Sequence, residues 1–98
     1  MPPTDRLETY QPQLDLWQRA LEAPNGLSIR CPDPREAKAL RFRLYHARRA
    51  QARLHRKIFP QEDPRHSASY YDHLVVTVNG ETVRIEPTRL APYQIEEL

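Results

Sequence analysis

The chain is poor in the residues that usually announce a specialised chemistry. It has one cysteine, one tryptophan and two glycines among 98 residues. A lone cysteine, Cys31, can close no internal disulfide and suits a reducing compartment. Gly26 and Gly80 each fall in a turn-like context, which leaves no glycine-rich phosphate loop. No stretch approaches the roughly 18 apolar residues expected of a membrane-spanning helix, so no membrane partner is expected. The opening Met1-Pro2-Pro3-Thr4-Asp5-Arg6 lacks the apolar segment of a secretory signal. A cytoplasmic location is the expectation. No Cys/His spacing fits a zinc site, and neither a metal nor a cofactor is expected.

Apolar residues are also scarce. Ala, Val, Ile, Leu, Met, Phe, Trp, Cys and Gly make up 35 of the 98 residues, below the roughly 45–50% of ordinary domains. Disorder, however, also requires a large net charge. Here 15 basic residues face 13 acidic ones, a net of +2. The expectation is a single small domain over residues 1–98 with a thin core and with loosely ordered segments at 1–11 and 88–98.

The local signals place four elements. Pro12 suits a first helical turn. Leu14, Trp17 and Leu21 then recur at i, i+3 and i+7, predicting a helix over Pro12–Ala23 that Pro24-Asn25-Gly26 ends. Leu27-Ser28-Ile29-Arg30-Cys31 alternates as a short strand with Leu27, Ile29 and Cys31 inward. Asp33-Pro34-Arg35-Glu36 reads as a capping box with proline at the first helical position. From Arg35 to Ile58 there is neither glycine nor proline, and the residues are good helix formers. A long helix follows, stopped by Phe59-Pro60. Residues 60–71 read as a loop. Asn79-Gly80 between two alternating segments predicts a type I′ hairpin in which Val78 faces Glu81, Val76 faces Val83 and Leu74 faces Ile85. The fold class is therefore α+β: two helices, one long and Arg-rich, packed on a small antiparallel sheet that contains a C-terminal β-hairpin.

The modest net charge hides an uneven distribution. Residues 32–59 carry nine basic residues against Asp33 and Glu36, a net of +7. Residues 60–98 carry three basic against seven acidic, a net of −4, and residues 1–31 a net of −1. Arginine outnumbers lysine 13 to 2. The guanidinium forks onto phosphates and stacks on bases in ways an ammonium cannot.

Wound at roughly 100° per residue, the long helix predicts a buried stripe of Leu40, Leu44, Ala47, Gln51, Leu54 and Ile58, with Ala37 nearby. Arg35, Lys38, Arg49, Arg53 and Arg56 lie opposite it. Arg41, Arg48 and Lys57 flank them, and Arg43 lies near the core edge. Phe42 and Tyr45 fall among these basic residues, with His46 beside them. Cations interleaved with aromatic rings suit nucleic acid, because charge follows phosphates and rings stack on bases. Packing of Phe42 and Tyr45 under Trp17 and Leu14 is the competing expectation, and it would leave only the charge.

The segment Arg65-His66-Ser67-Ala68-Ser69-Tyr70-Tyr71-Asp72-His73 is rich in reactive groups. His66 and His73 are the pair a small ribonuclease would use as acid and base, yet no spacing supports a catalytic dyad, and turn hydrogen bonds with ring packing account for the segment better. No catalytic residue is assigned. No helix-turn-helix, zinc finger or RNA-recognition motif is legible. The leading expectation is a small accessory protein, of the scale found in phages and mobile elements, that grips DNA or RNA. Its contacts would come from Arg35, Lys38, Arg41, Phe42, Tyr45, Arg48, Arg49, Arg53, Arg56 and Lys57. The alternative is a protein-interaction module whose basic helix docks on an acidic surface of a partner protein or of a second copy.

Overall fold

The longest element begins where the capping chemistry directs it. A computed structural model, describing residues 7–87, shows helix α2 over Pro34–Ile58. The Asp33 carboxylate accepts from the Glu36 N–H at 2.8 Å, and Pro34 occupies a first-turn position that needs no donor. The Phe59 N–H closes the far end onto the His55 carbonyl. Ahead of it, a 3-10 turn over Leu7–Tyr10 leads into helix α1, Gln11–Glu22. Strand β1, Leu27–Arg30, joins the two helices. Strands β2, Leu74–Asn79, and β3, Thr82–Pro87, form the hairpin. The segments 1–6 and 88–98 lie outside the described residues.

The three strands form one antiparallel sheet in the order β1-β3-β2. Both helices pack on one face of it, so the architecture is α+β with two layers. Leu14, Trp17 and Ala20 of α1 and Ala37, Leu44 and Ala47 of α2 share one core with Cys31, Leu74, Val76, Val83 and Ile85. Gly26 is needed where β1 begins: its φ is +86°, and a Cβ there would collide with the Ile85 carbonyl oxygen.

Four expectations change in detail. The hairpin pairs Val78 with Val83, Val76 with Ile85 and Asn79 with Thr82, so the two-residue loop is Gly80-Glu81 rather than Asn79-Gly80. Gly80 has φ +61°, and neither Asn79 nor Glu81 has a positive φ. That is a type II′ turn, which needs glycine only at its first central position. The pairing slips by two residues, so every side chain keeps its predicted face; a slip of one would have reversed them. Second, Leu21 is exposed and Ala20 is buried in its place. Third, Ile58 is exposed, while Ala50 and His55 join the buried side of α2. The sheet does not reach the last turn of α2, and the segment that follows the helix packs there instead. Fourth, β1 ends at Arg30, although the Cys31 N–H still bonds the Glu81 carbonyl at 2.8 Å.

That following segment explains Gln51, the polar residue in an otherwise apolar stripe. Its Oε1 accepts from the Ser69 hydroxyl at 2.5 Å and from the Tyr70 N–H at 3.0 Å. His55 Nδ1 donates to the Ala68 carbonyl, and Arg56 Nε donates to Ser67 Oγ at 2.9 Å. A buried amide with its hydrogen bonds made is compatible with the core, and it holds the loop against the helix.

Candidate nucleic-acid interface

The basic residues of α2 divide into two groups by what surrounds them. Arg48 belongs to the first. Trp17 is fully buried, and its indole N–H donates to the Leu44 carbonyl at 2.8 Å. The Trp17 ring stacks on Tyr71 with 6.0 Å between centroids and 7° between planes, and meets Tyr45 edge-on at the same separation. The Arg48 guanidinium lies 5.1 Å from the Trp17 centroid and 4.6 Å from that of Tyr45. Its Nη1 donates to the Leu74 and Tyr71 carbonyls at 2.9 and 3.2 Å, and its Nε lies 3.5 Å from Asp72 Oδ1. Tyr45 is half-buried, and its hydroxyl accepts from the Val76 N–H at 3.1 Å. Both residues are thus engaged within the fold. Arg48 satisfies two carbonyl acceptors and pairs with a carboxylate, and Tyr45 covers the sheet edge.

The second group faces outward. Arg35, Lys38 and Arg49 are exposed and Arg53 is half-buried; none has an ion pair or hydrogen bond among the described residues. Along the axis, Arg35 and Arg53 are roughly 27 Å apart at 1.5 Å per residue. Arg41 rests over the Tyr45 ring at 5.2 Å. Arg56 is exposed beyond its bond to Ser67, and Lys57 is exposed with a partner within the fold.

Phe42 sits among these cations with 63% of its surface exposed. The two alternatives for the aromatic pair therefore split: α1 covers Tyr45 but not Phe42. The Phe42 ring lies 4.4 Å from that of His46, one turn along. The two rings border a shallow open depression of about 250 Å3, completed by Thr9, Tyr10, Gln13 and Arg43. Arg43 and His46 were not among the expected contacts. Arg43 is exposed rather than at a core edge, because the N-terminal turn leaves that side of α2 uncovered. Nothing in the helical period alone announces that gap.

The reactive-looking segment 65–73 performs structural work. The Ser69 hydroxyl bonds Gln51 and accepts from the Tyr71 N–H. Tyr71 is buried on Trp17 and donates its hydroxyl proton to Gln18 at 2.9 Å. His66 Nδ1 donates to the Phe59 carbonyl at 3.1 Å, and His73 is exposed. No hydrogen bond or ring contact joins the two histidines. Burial holds the Tyr71 phenol above its ordinary pKa of 10.0, although the Gln51 side chain opposes this in part. Asp63 is held down to about 2, first by the side-chain bond from Arg65 and then by the Arg65 backbone N–H. Among the described residues no group of three or more His, Cys, Asp or Glu side chains could hold a metal ion. No helix there is long and apolar enough to cross a membrane.

No family model matches the chain, and neither curated proteins nor solved structures give a significant match.

Proposed function

We propose that the protein is a cytoplasmic accessory protein that binds single-stranded nucleic acid along the outer face of α2. The observation that carries this reading is the exposed Phe42 ring, set among guanidinium groups that no carboxylate of the described residues neutralises. Arg35, Arg49 and Arg53 contact phosphates, with Lys38, Arg41, Arg56 and Lys57 at the margins. A base stacks on Phe42. An unpaired strand is favoured over a duplex because a ring can stack only on a base that is free of its partner. Few groups here match base edges, so sequence preference is weak.

The test is fluorescence anisotropy with labelled single-stranded DNA, single-stranded RNA and duplex DNA across a salt series. Five neutralised phosphates on a single strand give a slope of log affinity against log salt of roughly −3.5. The double variant Arg49→Glu/Arg53→Glu should lose binding while melting normally. Absence of binding to every probe at about 50 mM salt, where phosphate contacts are strong, or unchanged binding by the double variant, overturns the reading.

A further inference from the structure

We propose that the free edge of β2 at Val76–Val78 takes up an extended acidic peptide as a fourth strand. Among the described residues the sheet order leaves β2 unpaired on one side. Asn79 and Thr82 flank the two-residue loop and exchange hydrogen bonds, so by antiparallel alternation Leu74, Val76 and Val78 direct their N–H and C=O groups away from β3. Contacts to other parts of the chain agree with this. The Leu74 N–H bonds the Tyr71 carbonyl, the Leu74 carbonyl accepts from Arg48, and the Val76 N–H bonds the Tyr45 hydroxyl. The first half of the edge is therefore closed by α2 and its neighbours.

The second half has no such partner among the described residues, with Val76 itself buried and Val78 half-buried. The Val76 carbonyl and both backbone groups of Val78 have no partner among the described residues. They border a depression of about 570 Å3 lined by Lys38, Arg41, Val76, Thr77 and Val78. Exposed strand edges are ordinarily blunted or covered, and here the cover stops halfway. An incoming strand supplies one donor for Val76, and a donor and an acceptor for Val78.

Charge selects the kind of strand. Lys38 and Arg41 are exposed, lie one turn apart on α2 and have no carboxylate within ion-pair distance among the described residues. Carboxylates on alternate residues of the peptide point to the α2 side, because side chains alternate along a strand. Nucleic acid suits this edge poorly: a phosphate backbone offers acceptors and leaves the Val76 and Val78 carbonyls unpaired. Edge-to-edge pairing with a second copy brings two Lys38–Arg41 pairs together, and like charges oppose it.

The experiment titrates the full chain with a fluorescein-labelled alternating peptide, (Thr-Glu)3, following anisotropy and backbone amide shifts. The expected result is binding at roughly millimolar concentrations or tighter, with the largest shifts at residues 76–79. Lys38→Glu/Arg41→Glu should weaken it at least about tenfold, since reversed charge at an interface repels the ligand. Val78→Pro should abolish it while leaving the β2–β3 ladder intact, because the lost N–H faces away from β3. Should Val78→Pro fail to fold, a (Thr-Glu)3 peptide N-methylated at alternate residues on the wild-type chain asks the same question. Arg49→Glu/Arg53→Glu should bind the peptide as wild type does, which separates this site from the phosphate-binding face. Equal binding of (Thr-Lys)3, undiminished binding of the N-methylated peptide, or a dimer in light scattering that the peptide does not dissociate overturns the proposal. Tighter peptide binding by Glu96→Lys/Glu97→Lys also overturns it, since the chain's own acidic tail would then be the occupant.

Discussion

Arg48 donates to two carbonyls beneath a pair of aromatic rings, whereas Arg49, the next residue, has no partner among the described residues. The same contrast separates Tyr45, half-buried with its hydroxyl on the sheet edge, from Phe42, three residues earlier and exposed. The two flanks of one helix thus put identical chemistry to different uses. On the flank that meets Trp17, a guanidinium acts as a structural cation satisfying backbone acceptors. On the other, guanidinium groups remain available to a ligand. Counting basic residues therefore overstates what the helix can offer a ligand, because a charge already satisfied inside the fold has little left to give.

The largest expected effect probes the flank that holds Arg48. Trp17→Ala should cost about 3–5 kcal/mol in urea denaturation, the usual range for removing a buried large aromatic. A loss under about 1 kcal/mol, far below that range, would show that Trp17 is not the centre of the core. Arg48→Ala comes next, at about 2 kcal/mol, since it leaves the Tyr71 and Leu74 carbonyls without their donor. Arg49→Ala should stay within about 0.5 kcal/mol of wild type. Equal losses for the two neighbours would erase the distinction between the flanks.

A second pair of variants sharpens it through function. Phe42→Ala should weaken single-stranded oligonucleotide binding about tenfold, as loss of one stacked base does, with an unchanged melting temperature. Tyr45→Phe should do the reverse, lowering stability by about 1 kcal/mol as the Val76 N–H loses its acceptor and leaving affinity alone.

The smallest effects are those of pH. Asp63 has a depressed pKa, so its contribution is present above the ordinary 3.8 and is lost as pH falls through about 2. Carboxyl chemical shifts of Asp63 should titrate near that value and return toward the ordinary range in Arg65→Ala. Tyr71 has the opposite sign. Its raised pKa gives a contribution that is complete below 10.0 and lost as pH rises beyond it. Phenolate absorbance should therefore show one tyrosine titrating late, and Tyr71→Phe should remove that component.

Much of this molecule is legible in the sequence, and what escapes does so for identifiable reasons. The capping residues around Asp33 and the uninterrupted run to Ile58 set the long helix, and the observed cap bond confirms the start. The alternation on both sides of Gly80 assigns every hairpin side chain to its face. Its register does not follow, since Asn79-Gly80 and Gly80-Glu81 both make acceptable two-residue turns and differ by a slip that preserves the pattern. Helical period places Arg35, Arg49 and Arg53 away from the core and also places Arg48 on their margin. It cannot tell that Arg48 would find two carbonyls at the start of β2.

Local propensity, period and charge by themselves determined the elements, their inward faces and the concentration of positive charge on α2. These depend on residues near one another in the chain. Tertiary structure alone decided that β1 pairs with β3, that α1 covers Tyr45 but not Phe42, and that the cover on the β2 edge ends at Val76. Each of these joins residues more than 25 positions apart, or depends on where such a contact stops. No local pattern encodes them: the free energy of the whole packed arrangement selects them.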